Sequence, residues 1–357
     1  MQVTPEFELL VEACRSAFSG EHHPCRASAE HLDSRRFVRL ARFHRVQGLV
    51  LKGIAQHGTE IAPAVRRALV EDASEIAASN LRAASVCREL QEAFQSAALP
   101  LLFIKGLTLG ALAYVNPSIK SSVDIDVLID PETLSEAASL LEKRSYRLLT
   151  PERGRNRLAQ WHNVHKESVW LNDLVGVRVD LHTRLADNPL LIPQIDLSSP
   201  RQTVDIGNGI HLPTLAGDEL FAYLAVHGAS SAWFRLKWIA DFAALLGGRS
   251  AAEVARQWQR SQELGAGRAA GQALLLADEL FGSLKELGEL KQLLLKDRAT
   301  RRLYRAALSQ LAGRGEPVEP TSRRLGTAAI HWTQLLLLPG IPFKTYEFAR
   351  QIRSTLN

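Results

Sequence analysis

The spacing of apolar and polar positions changes rhythm twice along this chain. From Pro63 onward, Val65, Leu69, Ala73, Ile76, Asn80, Ala84, Cys87, Leu90 and Phe94 recur at steps of three or four. That spacing predicts one long amphipathic helix, with Pro63 in its first turn. Asn80 breaks the stripe with an amide. It is either a capped or hydrated core amide or a ligand contact, because a buried amide needs partners. The whole of residues 1–98 reads as helical.

Between 99 and 185 the period shortens. "LPLLFIK" (99–105) reads as a short apolar strand, and a helix pattern begins at Gly106. "SVDIDVLI" (122–129) is a second strand. A helix follows with Asp130 as N-cap and Pro131 in its first position, and "SYRLL" is a third strand. After the basic loop "PERGRNR", the strands "NVHKESVWL" and "VGVRVDLHTRL" flank "NDLVG", which can turn a hairpin. This alternation argues a core of sheet and helix. From Thr214 the helical period returns, and a polar, proline-containing break (312–324) precedes a tail of one or two short helices. The expectation is an α+β fold: a small mixed sheet with helices (99–185), an N-terminal helical region (1–98), a C-terminal helical lobe (186–311) and a linker with a helical tail (312–357).

Composition narrows the classes. Of 357 residues, 46% are apolar, enough for a large core and against disorder. The net charge of +5 suits a phosphate-bearing ligand without demanding nucleic acid, and 6% aromatics argue against a broad nucleic-acid platform. Three cysteines without a CxxC spacing argue against a disulfide framework, so a reducing cytoplasm is expected. The start "MQVTPEFELLVEACR" has no apolar core of a signal peptide, and the apolar run "LLLLPGIPF" is too short and too interrupted to span a bilayer.

The chemistry gathers in a few residues. Asp124 and Asp126 share one face of their strand, opposite Val123, Ile125 and Val127. On "VRVDLHTRL", Arg178, Asp180 and His182 share a face opposite Val177, Val179 and Leu181. Two strands of one sheet can therefore present Asp124, Asp126 and Asp180 together. Clustered carboxylates need cations: a lysine, or metal ions. Three carboxylates suit two Mg²⁺ ions, whose remaining coordination sites take water and phosphate. Such a pair clamps an in-line phosphoryl displacement. Lys105 and Gly106 stand where a strand gives way to a helix. There a glycine lets the backbone approach a phosphate, and helix N–H groups favour the anion. Lys105, the Thr108 hydroxyl and Lys120 can add contacts.

"KGLTLGALAYVNPSIKSSVDIDVLI" followed by "VRVDLHTRL" resembles the DNA polymerase β-like nucleotidyltransferase superfamily. Its pattern is a glycine-containing strand–helix turn, an Asp-x-Asp strand and a later aspartate among apolar residues. More narrowly, the turn, the "DID" pair, the "VDLH" strand and the flanks "FHRVQGLVL" and "HGASSAWFRLKWIADFAALL" resemble an uncharacterised bacterial nucleotidyltransferase family. Some of its members are encoded near peptide natural-product genes. The resemblance implies that Asp124 and Asp126 hold both metals. It implies that Asp180 binds the catalytic metal and helps the acceptor lose its proton, and that Gly106 cradles the triphosphate. Mg²⁺ and a nucleoside triphosphate follow, with ATP the guess from abundance. The acceptor is open among peptide, small molecule, sugar phosphate and RNA, the first two favoured by the mild charge. The chain departs from the superfamily in three places. Leu107 follows Gly106 where serine or glycine is usual. Asp124 follows Gly106 by 18 positions, a long gap. Lys120 stands where the narrower family often has Arg, and it lacks the bidentate fork. The missing serine or glycine after Gly106 motivates an alternative, a non-catalytic nucleotide- or partner-binding descendant.

Other features have two readings each. His182 either orients Asp180 or contacts a base, or is a hydrogen-bonded sheet histidine. His162, His165 and His182 suggest zinc, but on a strand an offset of three sends the first two to opposite faces. His22, His23, Cys25 and His31 read as surface residues. "GAGRAAG" (265–271) imitates a dinucleotide fingerprint but follows a helix pattern rather than a strand, so it reads as helix packing. Lys237 and Asp241 are spaced to pair on a helix surface. Alternatively His227, Arg235 or Lys237 faces the nucleotide. Arg235 and Lys237 lie about 200° apart on a helix, so one helix presents only one of them, and Lys237 is preferred.

Overall fold

The computed structural model describes residues 3–19, 32–114, 116–152, 154–284, 287–312, 318–319 and 327–356. The His22, His23, Cys25 and His31 cluster and most of the 312–324 break lie outside the described residues. Helices α1 (Pro5–Ser19), α2 (Ser34–His44), α3 (Gln47–His57) and α4 (Pro63–Ser96) come first. Then follow β1 (Leu101–Phe103), α5 (Leu107–Tyr114), β2 (Asp124–Ile129), α6 (Leu134–Lys143), β3 (Tyr146–Thr150), α7 (Leu158–Val164), β4 (Glu167–Asn172) and β5 (Val177–His182). A hairpin, β6 (Arg201–Asp205) and β7 (His211–Leu215), leads into α8 (Gly217–Ser230), α9 (Leu236–Leu246), α10 (Ala251–Glu263) and α11 (Gly267–Phe281). Four helices close the chain: α12 (Gly288–Lys296), α13 (Arg298–Leu311), α14 (Ala328–Gln334) and α15 (Ile341–Leu356).

The five-stranded sheet has the order β1-β2-β5-β4-β3. β2 and β5 run parallel, and the other pairs are antiparallel. The fold is thus α+β with a mixed sheet, as the alternation of periods predicts. The β4–β5 hairpin turns at the expected place. Asn172 accepts from the Leu174 and Gly176 amides, and Gly176 takes the left-handed conformation that glycine tolerates best (φ 65°).

Strand alternation gives the sheet two unlike faces. Ile125, Val127, Trp170, Val179 and Leu181 pack with Cys87, Leu90 and Phe94 of α4 and Ala137 and Leu141 of α6. The opposite face becomes apolar at Leu128, which joins a second core with Leu102 and Ile104. That core runs through α1, α3, α8, α9, α11 and α13. The long helix bridges the two cores. Its ends are buried, whereas Ala73 and Ile76 in its middle are half-exposed. Asn80 is the capped core amide of the two readings, buried and satisfied by backbone carbonyls. Its Nδ2 lies 2.8–3.2 Å from the Pro117, Ser118 and Lys120 carbonyls and pins the loop that enters β2. Gly48 of α3 supports the same loop, because a side chain there would meet the Ile119 carbonyl oxygen at 2.3 Å.

The structure corrects three details. Asn163 and Val164, expected to open the strand, instead close a helix, Leu158–Val164. Leu158 and His162, four apart, are its buried positions, a spacing hidden among polar neighbours. The β6–β7 hairpin falls in a stretch without a strand expectation, and Thr214 ends that hairpin instead of starting a helix. The tail is longer than short helices, since α15 has 16 residues. No helix among the described residues is long and apolar enough to cross a membrane. Cys14 and Cys87 are buried free thiols.

Candidate active site

The parallel pairing of β2 and β5 sets Asp126 directly beside Asp180 and Asp124 beside Arg178. The antiparallel pairing of β4 and β5 adds Glu167 opposite His182. Residues paired across a sheet share a face, so two neighbouring rows of backbone register assemble the polar group. Ligand atoms of Asp126, Glu167, Asp180 and His182 all lie within 4.8 Å of one another. Asp124 is on the same face but outside that set of four.

Lys105, just past β1, places its ammonium 2.7 Å from Asp126. His182 Nε2 lies 3.0 Å from Asp126 and 3.2 Å from Glu167, and its ring is fully buried. His182 therefore braces carboxylates inside the sheet. Lys166 pairs with Glu167. Around Asp126, Glu167 and Asp180, three carboxylates thus face two lysine ammoniums, leaving excess negative charge.

That excess sorts the acids. Burial opposes ionisation of Asp126, yet Lys105 and His182 hold it well below the usual carboxylate range. Glu167, also opposed by burial, is held at about 2 by Lys166, His182 and Lys105. Asp180 has no ion pair of its own. Burial, then the charges of Asp126, Asp124 and Glu167, push it up to about 8. Lys105 is held well above its ordinary value by Asp126, against the pull of burial.

Beside Asp124 and Asp126 opens a cavity of about 120 Å³. Lys105, Lys120, Lys237 and Arg45 line it, with Gly106 and Ser122. Gly106 has φ 66°, which an L side chain rarely adopts, so the turn after β1 requires glycine. Lys120 is committed to Asp241 at 3.0 Å, and Tyr114 donates to the same carboxylate at 2.8 Å. Asp241 therefore does not pair with Lys237 on a helix surface. Lys237 points to the cavity with a long contact to the Ser121 carbonyl (3.5 Å). Burial, then Lys120, lower Lys237 to about 7. Arg235 turns away, bonding the Phe43 carbonyl and Glu319. His227 lines the cavity and is kept neutral by burial and by Lys105.

Thr108 does not offer its hydroxyl proton to the cavity. It donates to the Phe103 and Lys105 carbonyls and is 1% exposed. Ser122 lies on the cavity wall beside that turn. Its Oγ is shut off from water without a hydrogen-bond partner and lies near Gly106. The histidine trio does not form a shared site: His162 pairs with Thr183, and His165 stacks on Trp161. Sequence reasoning missed Glu167, Ser122 and Arg45. Glu167 was within reach, since it shares a strand face with Val169 and Leu171, but only the hairpin register sets it against His182.

The donor set fits a hard divalent cation. Carboxylate oxygens dominate it, and the unpaired, proton-retaining Asp180 marks where positive charge is short. Residues 30–282 match a family model described as an uncharacterised nucleotidyltransferase. No curated protein matches the chain.

Proposed function

The chain belongs to the uncharacterised nucleotidyltransferase family, and from that premise we propose that it moves a nucleoside monophosphate from a nucleoside triphosphate to an acceptor hydroxyl or phosphate. The observation that carries this reading is the cross-strand Asp126–Asp180 row, with Glu167 and an acid excess, set against a cation-lined cavity. The arrangement is in keeping with the polymerase β-like superfamily pattern of the sequence.

Asp124, Asp126 and Asp180 are the residues to hold Mg²⁺, with two ions expected and Glu167 adjacent. The metal, when bound, supplies Lewis-acid charge neutralisation at the reacting phosphate. The remaining chemistry belongs to the chain. Lys105, Lys237 and Arg45 hold the triphosphate, and Lys120 contributes field while anchored to Asp241. Gly106 lets the backbone approach a phosphate, and Ser122 Oγ donates where the superfamily uses a serine in the turn. The acceptor oxygen bonds to the α-phosphorus, and the α–β bridging P–O bond breaks. Its electron pair leaves with pyrophosphate. The hydroxyl proton passes to Asp180 in its carboxylate form, the form it takes above about pH 8 in the metal-free site.

A second reading, a non-catalytic nucleotide- or partner-binding protein, has one observation in its favour. Lys105 already neutralises Asp126. Calorimetry with ATP and Mg²⁺, paired with a pyrophosphate-release assay across an acceptor panel, separates the two. Mg²⁺-dependent binding with turnover, both lost in Asp124→Ala and Asp126→Ala, is expected. Binding without turnover would favour the second reading, and turnover unchanged in both variants would end the first.

A further inference from the structure

A second and larger cavity, about 470 Å³, lies at the β3–α7 end of the sheet. We infer that it seats the acceptor, and that the acceptor is a nucleoside or a chain ending in one. This rests on the nucleotidyltransferase reading.

Its position comes from register. Thr150, on the cavity wall, pairs with Val169, Val169 pairs with Asp180, and Asp180 pairs with Asp126. The four stand in one row, reached across an irregularity in β3 between Leu148 and Thr150, so the wall stands two strand spacings from Asp180, about 10 Å. The cation-lined cavity lies at the other end of that row, past Asp126. In-line displacement brings the acceptor in opposite the departing pyrophosphate. With the triphosphate held by Lys105, Lys237 and Arg45, the incoming group must approach from the Asp180 side, the side of the row on which this cavity lies. Trp161 ties the wall to the site, since its Nε1 donates to the Glu167 carbonyl at 2.7 Å.

The lining points to the class of guest. Trp161 and His165 stack 3.7 Å apart at 19°, a flat aromatic surface of the kind on which bases lie. Arg157 is locked to the Gln160 side-chain oxygen at 2.8 Å, leaving the Gln160 amide and the remaining guanidinium N–H groups as donors. Glu152 adds an acceptor. A flat wall with mixed donors and acceptors at its rim matches a nucleobase, whose edge mixes both. The volume admits a base with its ribose, whose hydroxyl then reaches toward Asp180.

Calorimetry tests this with the full chain, Mg²⁺ and saturating α,β-methylene-ATP. The probes are adenosine, guanosine, cytidine and uridine, and short RNAs ending in each. At least one probe is expected to bind, at least about tenfold more weakly in Trp161→Ala and several-fold more weakly in the exposed Gln160→Ala, which leaves the fold alone. Binding of free nucleosides identifies a small acceptor, and binding of RNA alone identifies a chain end. Both support the inference. It is overturned if no probe binds, if neither variant weakens binding, or if Trp161→Ala weakens the ATP analogue, which would assign the cavity to the donor's base. If the analogue binds and no probe does, only the acceptor assignment fails. If the analogue does not bind, the nucleotidyltransferase reading fails by itself.

Discussion

Two buried lysine–aspartate pairs flank the same cleft and are built to different ends. Lys120 and Asp241 meet at 3.0 Å, and Tyr114 completes the carboxylate's hydrogen bonding. One charge answers one charge, and the pair joins the loop before β2 to α9. Lys105 and Asp126 meet at 2.7 Å, but Asp124, Glu167 and Asp180 crowd the same face. There the protein's own cations fall short, and Asp180 stays protonated to about pH 8. A closed pair holds structure, whereas an open acidic group awaits charge from outside.

The largest effects should separate these roles through activity. Asp126→Asn and Asp180→Asn should each lower nucleotidyl transfer by more than the roughly 10–100-fold that changes behind a metal's ligands cost. Single-turnover pyrophosphate release reads this directly. Asp241→Asn should instead destabilise, by about 3–5 kcal/mol, because it strands the buried Lys120 charge. Denaturant melts giving equal losses for Asp241→Asn and Asp180→Asn would erase the distinction between the two groups.

The next effect is a pH slope. Asp180 binds its proton more tightly folded than unfolded, so it favours the native state at low pH. That contribution is lost as pH rises from about 4 through about 8. Metal-free protein should therefore lose melting temperature across that window, Asp180→Asn should flatten the slope, and Mg²⁺ should restore stability most at pH 8. A slope identical in wild type and Asp180→Asn would refute the assignment. Smaller again, Asn80→Ala should cost about 1–3 kcal/mol, the price of leaving loop carbonyls unmet, and should loosen nucleotide binding without abolishing it. The smallest effect belongs to Lys237. It is charged below about pH 7 and neutral above, so ATP affinity should fall as pH rises through neutrality, and Lys237→Arg should remove that dependence. Calorimetric titrations between pH 6 and 8.5 measure both.

The chain's period alone determined much. Alternation at 122–129 and 177–182 shows which residues share a face, so Asp124 with Asp126, and Asp180 with His182, were legible as strand partners. The three-and-four spacing after Pro63 marked the bridging helix, and the Lys105–Gly106 junction marked the turn. Those properties are local, set by backbone geometry within one element. What only the tertiary structure decided is how elements meet. Parallel register put Asp126 beside Asp180, and hairpin register brought in Glu167. The fold chose Lys120 over Lys237 as the partner of Asp241, turned Thr108 back onto its own strand, and left Ser122 free beside Gly106. Each outcome depends on distances between residues far apart in the chain. Charges and hydrogen bonds act over only a few ångströms, so sequence spacing carries almost no information about them.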